Sequence, residues 1–397
     1  NYVWAEDCYG KTIEDGESED AGEVIQAASD YVAGKGGGEV RIREGVYRVC
    51  SDILPKTNVI IRGLGAILKS VGAIKVLNLV SCEHVEVCGL NIDVSEVENA
   101  KGVKITDSRN INLRSLKIKG GAAWNMGVHI SDGCSKISVE NCKIESTYYG
   151  VYFMGKNTPS EDVRVFGNKI RNTILNGIAV YSDSKCVVIS GNILDGCGHS
   201  AISCSPAQYV VISHNVIKNV TSENEGGIEV EWKSDHASYT PDTSHDVVVI
   251  GNIVKDCNWG IYTHRRDTGT DPYNVEILGN MVIGCNKGIY LYAGNNVHVH
   301  DNILNNTVNF SAEAGVNYKL GVNIGYVTKK SGTATIASGA TSVTVNHGLV
   351  AAPSKVLVTP RGNIGSVWVS NVTDTQFTIN CSSAPTSDVQ VDWYAEV

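Results

Sequence analysis

Apolar and polar residues alternate along most of this chain in short bursts, each closed by Gly or Asn. One phrase, V-x-I-x-x-N-x-I, returns as VRVFGNKI, VVISGNIL, VVISHNVI, VVIGNIV, VEILGNMV and VHVHDNIL. Aligned on their asparagines, these phrases place Asn168, Asn192, Asn215, Asn252, Asn280 and Asn302 at successive spacings of 24, 23, 37, 28 and 22 residues. Self-similarity at such a period marks a solenoid. Two-residue alternation rich in Val and Ile, broken by Gly or Asn turns, makes each repeat a set of short strands with no helical pattern between them. The expected fold is all-β: a parallel β-helix, right-handed, with the asparagines as a hydrogen-bonding ladder inside one corner, where a side-chain amide satisfies turn backbone groups.

The two ends read differently. DAGEVIQAASDYVA, residues 20–33, is the one convincing amphipathic helix, and it would cover the open first coil, whose strand edges need protection. From about residue 327 the repeat is lost, and alternating strands with Ser, Gly and Pro turns predict a small β-sandwich. The expected organisation is a cap segment at 1–35, a β-helix at 36–326 and a C-terminal sandwich at 327–397.

Each coil also carries a strand that mostly opens on Gly, among them GVKIT, GVHIS, GVYFM, GIAVY, GIEVEWK, GIYTHRR and GIYLYAG. Side chains in a strand alternate between faces, so the residues two and four after this Gly share the outward side. Read coil by coil, that side collects His129, Tyr152, Tyr181, Glu229 and Glu231, Tyr262 and His264, and Tyr290 and Tyr292. Glu229 and Glu231 should lie about 7 Å apart, with Tyr262 and His264 beside them one coil away at about 4.8 Å. Lys233 continues one strand, and Arg265, Arg266 and Asp267 follow the other. The spacings of 37 and 28 residues place insertions directly after Lys233 and Arg266, where loops on a rigid scaffold wall a cleft. Glu229, Glu231, Lys233, Tyr262, His264 and Arg265 are the candidate catalytic residues. His129, Tyr152, Tyr181, Arg266, Asp267, Tyr290 and Tyr292 are candidates for substrate binding.

Composition narrows the partner. A net charge of −9 argues against nucleic acid, which would need a basic stripe. No run of about 18 apolar residues is present, so insertion into a membrane is not expected. Of the twelve cysteines, Cys197, Cys257 and Cys285 each follow a ladder asparagine by five residues, as buried, reduced, space-filling side chains of a stack would.

The segment IQAASDYVAGKGGGEVRIREGVYRV followed by NVIIRGLGA resembles the opening of pectate-lyase-like β-helix proteins, which include phage tailspikes and tail-associated depolymerases. SVTVNHGL, PSKVLVTP and TQFTI resemble small sandwich domains appended to viral tail proteins. The resemblance implies a polysaccharide substrate, an extracellular or virion setting and a homotrimer, with the sandwich serving either carbohydrate binding or assembly. EVEWKS followed one coil later by THRRD is similar, loosely, to the chondroitinase and alginate-lyase β-helix family, in which a Glu-x-Glu pair helps to bind calcium. That leaves Glu229 and Glu231 as candidate calcium ligands, although Ser203 and Ser205 stand where that family supplies Asn. The leading expectation is a lyase that cleaves an acidic, uronic-acid-containing polysaccharide by β-elimination. A glycoside hydrolase built on paired carboxylates, with Asp235 or Asp267 able to replace one of them, is the main alternative; a uronan epimerase and a non-catalytic glycan-binding β-helix are the others.

Overall fold

The structure, a computed structural model, describes the chain except for residues 1–3, 14–17, 122, 155–157, 234–242 and 267–268 and the side chain of residue 183. Among the described residues, twenty strands form one parallel sheet system and eleven form another. Each coil contributes neighbouring strands such as Lys101–Thr106, Arg109–Arg114 and Lys117–Lys119, and each pairs in parallel with its counterpart a coil later. In the middle of the helix, Ile178–Ser190 and Ile202–Ser213 run unbroken from one face into the next, paired along their length with one register shift between Tyr181 and Ser184.

The interior follows from the alternation. Inward positions are Val, Ile and Leu with essentially no exposure, for example Ile105, Val128, Val151, Val180, Ile228 and Ile261. The asparagine ladder forms as expected. Asn192 Oδ1 accepts from the backbone N–H and the side-chain amide of Asn168, both at 2.9 Å; Asn215 accepts in the same way from Asn192, and Asn252 from Asn215. Each amide also donates to a backbone carbonyl, such as that of Val139 or Val165. Buried turn groups are thereby paired, where an unmade bond would cost about 1–3 kcal/mol. All twelve cysteines are free thiols, and all but Cys8, Cys50 and Cys186 are buried, including Cys197, Cys257 and Cys285.

The helix spans Ala21–Gly34, its N-terminus capped by Asp20, whose carboxylate accepts from the Gly22 N–H. Its apolar side, Ala21, Val24, Ile25 and Ala28, is buried, and the helix packs on the strands Gly38–Ile42, Gly45–Val49 and Val59–Gly63.

The chain divides into two compact units, one of residues 1–297 and 305–318, the other of residues 298–304 and 319–397. In the second unit, strands from Lys329 onward pair antiparallel in two three-stranded sheets. Both sheets contribute to one core that includes Ile336, Val391 and Trp393 from one and Val345, Phe377 and Ile379 from the other, which makes a sandwich. Trp393 is a core residue, whereas Trp368 is 49% exposed.

Candidate active site

The Gly-opened strands stand in one register. Asn78, Lys104, His129, Tyr152, Ala179, Ser203, Glu229, Tyr262 and Tyr290 form a single column from coil to coil, and Glu231 pairs with His264 in the next column. The opening glycines fix this alignment by their lack of a side chain. A Cβ at Gly227 would come within 2.9 Å of the Gly260 carbonyl oxygen, and one at Gly260 would strike that of Gly288. Coils approach closely here, so every site strand starts at the same height.

The strands Gly226–Trp232 and Trp259–Arg265 bring together Glu229, Glu231, Tyr262 and His264 as the sequence predicts. Their surroundings differ from a solvated outward face. Glu229 is 0% exposed, Glu231 1%, and Tyr262 and His264 5% each. His264 Nε2 lies 2.8 Å from Glu229 Oε1 and 2.8 Å from Glu231 Oε2. Neither oxygen lies along the ring N–H direction, so these are ion-pair contacts rather than aligned hydrogen bonds. Arg266 approaches the same two oxygens, with Nε 2.8 Å from Glu231 Oε2 and Nη2 3.2 Å from Glu229 Oε1. Its Nη2 is also 2.5 Å from both carboxylate oxygens of Glu225.

Glu225 is the member that the outward-position reading missed. It is 3% exposed, and His199 Nε2 lies 2.9 Å from its Oε1. Carried two steps back from Glu229, past Gly227, the same alternation lands on it. Ser200 Oγ donates to Glu229 Oε2 at 2.6 Å, and Ser203 Oγ donates to Glu231 Oε1 at 3.4 Å.

Three buried carboxylates thus share one guanidinium and two imidazoles, those of His264 and His199, and their proton affinities move accordingly. Burial, and then the charge of Glu231, raises the Glu229 carboxyl. Burial would raise Glu225 as well, but His199, Glu229 and Arg266 outweigh it and hold that carboxyl at about 2. For His264 burial works downward, yet the carboxylates of Glu229 and Glu231 prevail and lift it to about 9. Burial raises the Tyr262 and Tyr181 phenols, reinforced by the nearby glutamates, so both stay protonated.

The other expected residues take varied places. Arg265 turns away from the glutamates to Asp271, 2.5 Å away, leaving Arg266 as the cation of the cluster. Lys233 is half-buried just past the end of its strand. Tyr262 stacks on His264 with ring centroids 4.3 Å apart and on Tyr290 at 5.3 Å; Tyr290 donates to Glu313, and Tyr292 is 49% exposed. On the other side of the cluster Tyr152 joins His129 at 5.2 Å and Tyr181 at 5.9 Å. Asp267 and Asp235 lie outside the described residues. The Trp232 indole, 5% exposed, packs against Gly269.

Fold and site together define the class: a right-handed parallel β-helix with a buried ionisable centre on one face. The family described as periplasmic copper-binding protein (NosD) matches residues 83–274. Among solved structures the chain is similar to the A-module of the mannuronan C-5 epimerase AlgE4 of Azotobacter vinelandii, with TM-score 0.53, 13% identity and coverage of 78% of this chain and 93% of that one. It is also similar to PfbA, a surface adhesin of Streptococcus pneumoniae, with TM-score 0.50, 14% identity and coverage of 77% and 88%. A tailspike protein of E. coli bacteriophage HK620, in complex with a pentasaccharide, gives TM-score 0.50 at 12% identity, covering 98% of this chain and 92% of that one. No curated protein matches the sequence. At these identities the likeness establishes the fold, and function has to be argued from the site.

Proposed function

We propose that the chain is a polysaccharide-processing enzyme, and that its reaction is β-elimination on an acidic polysaccharide. One observation carries this reading. The glutamates of the cluster are at most 4% exposed in their side chains, whereas Arg266 is 28% and His199 31% exposed. The edge that meets a substrate is therefore formed by the Arg266 guanidinium and the His199 imidazole, and the carboxylates lie behind it. The fold's likeness to a mannuronan epimerase and to an oligosaccharide-bound tailspike supports a glycan as the substrate class.

In this reading Arg266 faces the substrate carboxylate and stabilises the charge that develops when the neighbouring carbon loses its proton. The neutral form of His264 takes that proton. The electron pair becomes the new double bond, the glycosidic bond breaks, and the departing oxygen takes a proton from the Tyr262 phenol. Because His264 holds its own proton up to about 9, the rate should rise through the alkaline range and level off above that pH.

Cation binding is a separate question. Two groupings, His199–Glu225–Glu229 and Glu229–Glu231–His264, offer ligand atoms within 4.8 Å of one another. Calcium takes oxygen ligands, and here the oxygens of Glu229 and Glu231 that face inward already balance His264 and Arg266. We therefore place the chemistry on these side chains, and expect a chelator to change the rate by less than about twofold, since the described residues of the cluster form no oxygen cage to empty.

A hydrolase has one observation in its favour: the raised Glu229 carboxyl beside Glu231, the arrangement of a general acid. It predicts the opposite pH limb, with activity lost as Glu229 deprotonates. The decisive experiment incubates the protein with alginate, polygalacturonate and neutral glycans from pH 5 to 10 and follows ultraviolet absorbance and new reducing ends together. Absorbance that grows with pH and disappears in His264→Ala supports the lyase. Reducing ends without absorbance, strongest at low pH, refute it in favour of hydrolysis.

A polysaccharide substrate would place the protein outside a cell or on a virion. We read residues 1–35, 36–326 and 327–397 as cap, catalytic helix and accessory module. The module would serve either glycan contact, through exposed Trp368, or assembly; a homotrimer in light scattering would favour assembly.

A further inference from the structure

Five coil steps before Glu229, on the same face, the charge pattern reverses. Lys75 pairs in register with Lys101, and Lys104 with His129. Lys75 has a carboxylate partner, Asp52, at 3.3 Å. Lys101 and Lys104 have none among the described residues. The Lys101 ammonium instead donates to His129 Nδ1 at 3.1 Å, and His129 Nε2–H donates to the Met154 carbonyl at 3.1 Å. The second bond fixes the tautomer, so that Nδ1 keeps a lone pair for the ammonium. His129 is 8% exposed, and its imidazole is held neutral, first by burial and then by Lys101. A half-buried lysine is thus aimed by a neutral acceptor, beside a second lysine, with no anion supplied by the described protein.

Next to this pair stands a file of rings. Tyr152 lies 5.2 Å from His129 and stacks on Tyr149 at 4.2 Å; Tyr148 adjoins Tyr149 and lies tilted against Trp124, which is 51% exposed. Aromatic faces suit the apolar face of a sugar, and ammonium groups suit its acidic substituent. The whole chain carries a net charge of −9, so attraction for a polyanion must be local.

We propose that Lys101 and Lys104, with the Tyr149–Tyr152 stack beside them, form a distal subsite for a negatively charged sugar of a bound polysaccharide. His129 is a positioning residue for Lys101. The subsite lies roughly 24 Å from Glu229, five coil steps of about 4.8 Å, a span that an oligosaccharide bridges. The inference rests on the reading that the substrate is a polysaccharide, but it concerns binding and is tested by binding.

The test is affinity electrophoresis of the full chain through gels containing polygalacturonate, dextran sulfate or neutral dextran. The variants are Lys101→Met with Lys104→Met, and the charge-keeping Lys101→Arg with Lys104→Arg, each checked for an unchanged melting temperature. Retardation by the acidic polymers, weakened about tenfold or more in the methionine pair and largely kept in the arginine pair, is the expected result. Preference for polygalacturonate or for dextran sulfate distinguishes carboxylate from sulfate as the recognised group. Equal retardation of wild type and methionine variant, or loss on neutral dextran alone, overturns the proposal. The two readings fail separately. Product formation with an unaltered KM in the methionine variant removes the subsite and leaves the chemistry, whereas lysine-dependent binding with no product from any polymer does the reverse.

Discussion

His129 and His264 lie on one face of the same helix and are almost equally buried, yet they respond to burial in opposite directions. His129, beside Lys101, is driven down to about 3, with burial the larger cause. His264, between Glu229 and Glu231, is lifted to about 9 against burial. Desolvation sets a common cost, and the neighbours supplied by adjacent coils decide its outcome. A solenoid makes such contrasts easy to build, because a register position can be refilled coil by coil without altering the scaffold. Among the described residues, one part of this face is thereby a place of positive charge without a carboxylate partner and the other a dense set of matched charges.

The largest way to break the contrast is to remove the central imidazole. His264→Gln should lower kcat by about 10²–10⁴, the usual range for a lost proton-transfer group, and abolish the alkaline rise of the rate profile in a steady-state assay. Arg266→Met should be next. It strands three buried carboxylates, and breaking a buried ionic cluster costs about 3–5 kcal/mol, to be read as a lowered midpoint in urea. The same change at Arg265 should have little effect on stability.

Stability should also follow pH with opposite signs at the two histidines. His264 has a raised folded value, so its contribution is complete below about 6.5 and is lost as pH rises through about 9. Glu229, raised in the same way, acts in the same direction. His129 has a depressed folded value, so folding gains as pH rises from about 3 to 6.5. Glu229 loses its share between about 4.5 and 7, where His129 is still gaining, so a midpoint-versus-pH curve should be highest in the mildly acidic range, between about 4.5 and 6.5, as far as these groups set it. Each limb should amount to a few kcal/mol at most, roughly 1.4 kcal/mol for every tenfold change in proton affinity between the unfolded and folded chain. His129→Gln should flatten the acid limb and His264→Gln the alkaline one; a curve unchanged by both would contradict the contrast. The smallest effect is expected for Asp271→Asn, which breaks the exposed pair with Arg265 and should shift stability by less than about 1 kcal/mol.

Much of this arrangement was legible in the residues. The asparagine spacing gave the ladder, the opening glycines gave the register, and strand alternation put Glu229 with Tyr262 and Glu231 with His264. Burial was not legible. Alternation distinguishes the inner from the outer side of a strand, but whether an outer residue meets water depends on side chains distant in sequence, such as His264 and Arg266 against Glu231. For the same reason the sequence reading set Arg265 with the catalytic residues and Arg266 with substrate binding: both leave the strand end, and only the loop carrying Asp271 draws Arg265 aside. Glu225 sits before its strand, at a corner where period-two counting stops being a safe guide.

The asparagine spacings have one more consequence, for how freely such a chain can vary. Each coil closes on the one before through a segment of mostly 22 to 28 residues, and the coil that contains Glu231 uses 37. For a flexible loop, going from 24 to 37 residues adds only about 0.4 kcal/mol of closure entropy. The scaffold is nearly indifferent to how much chain leaves it beside the glutamates, so lengthening or replacing that segment is a low-barrier evolutionary route to a new substrate.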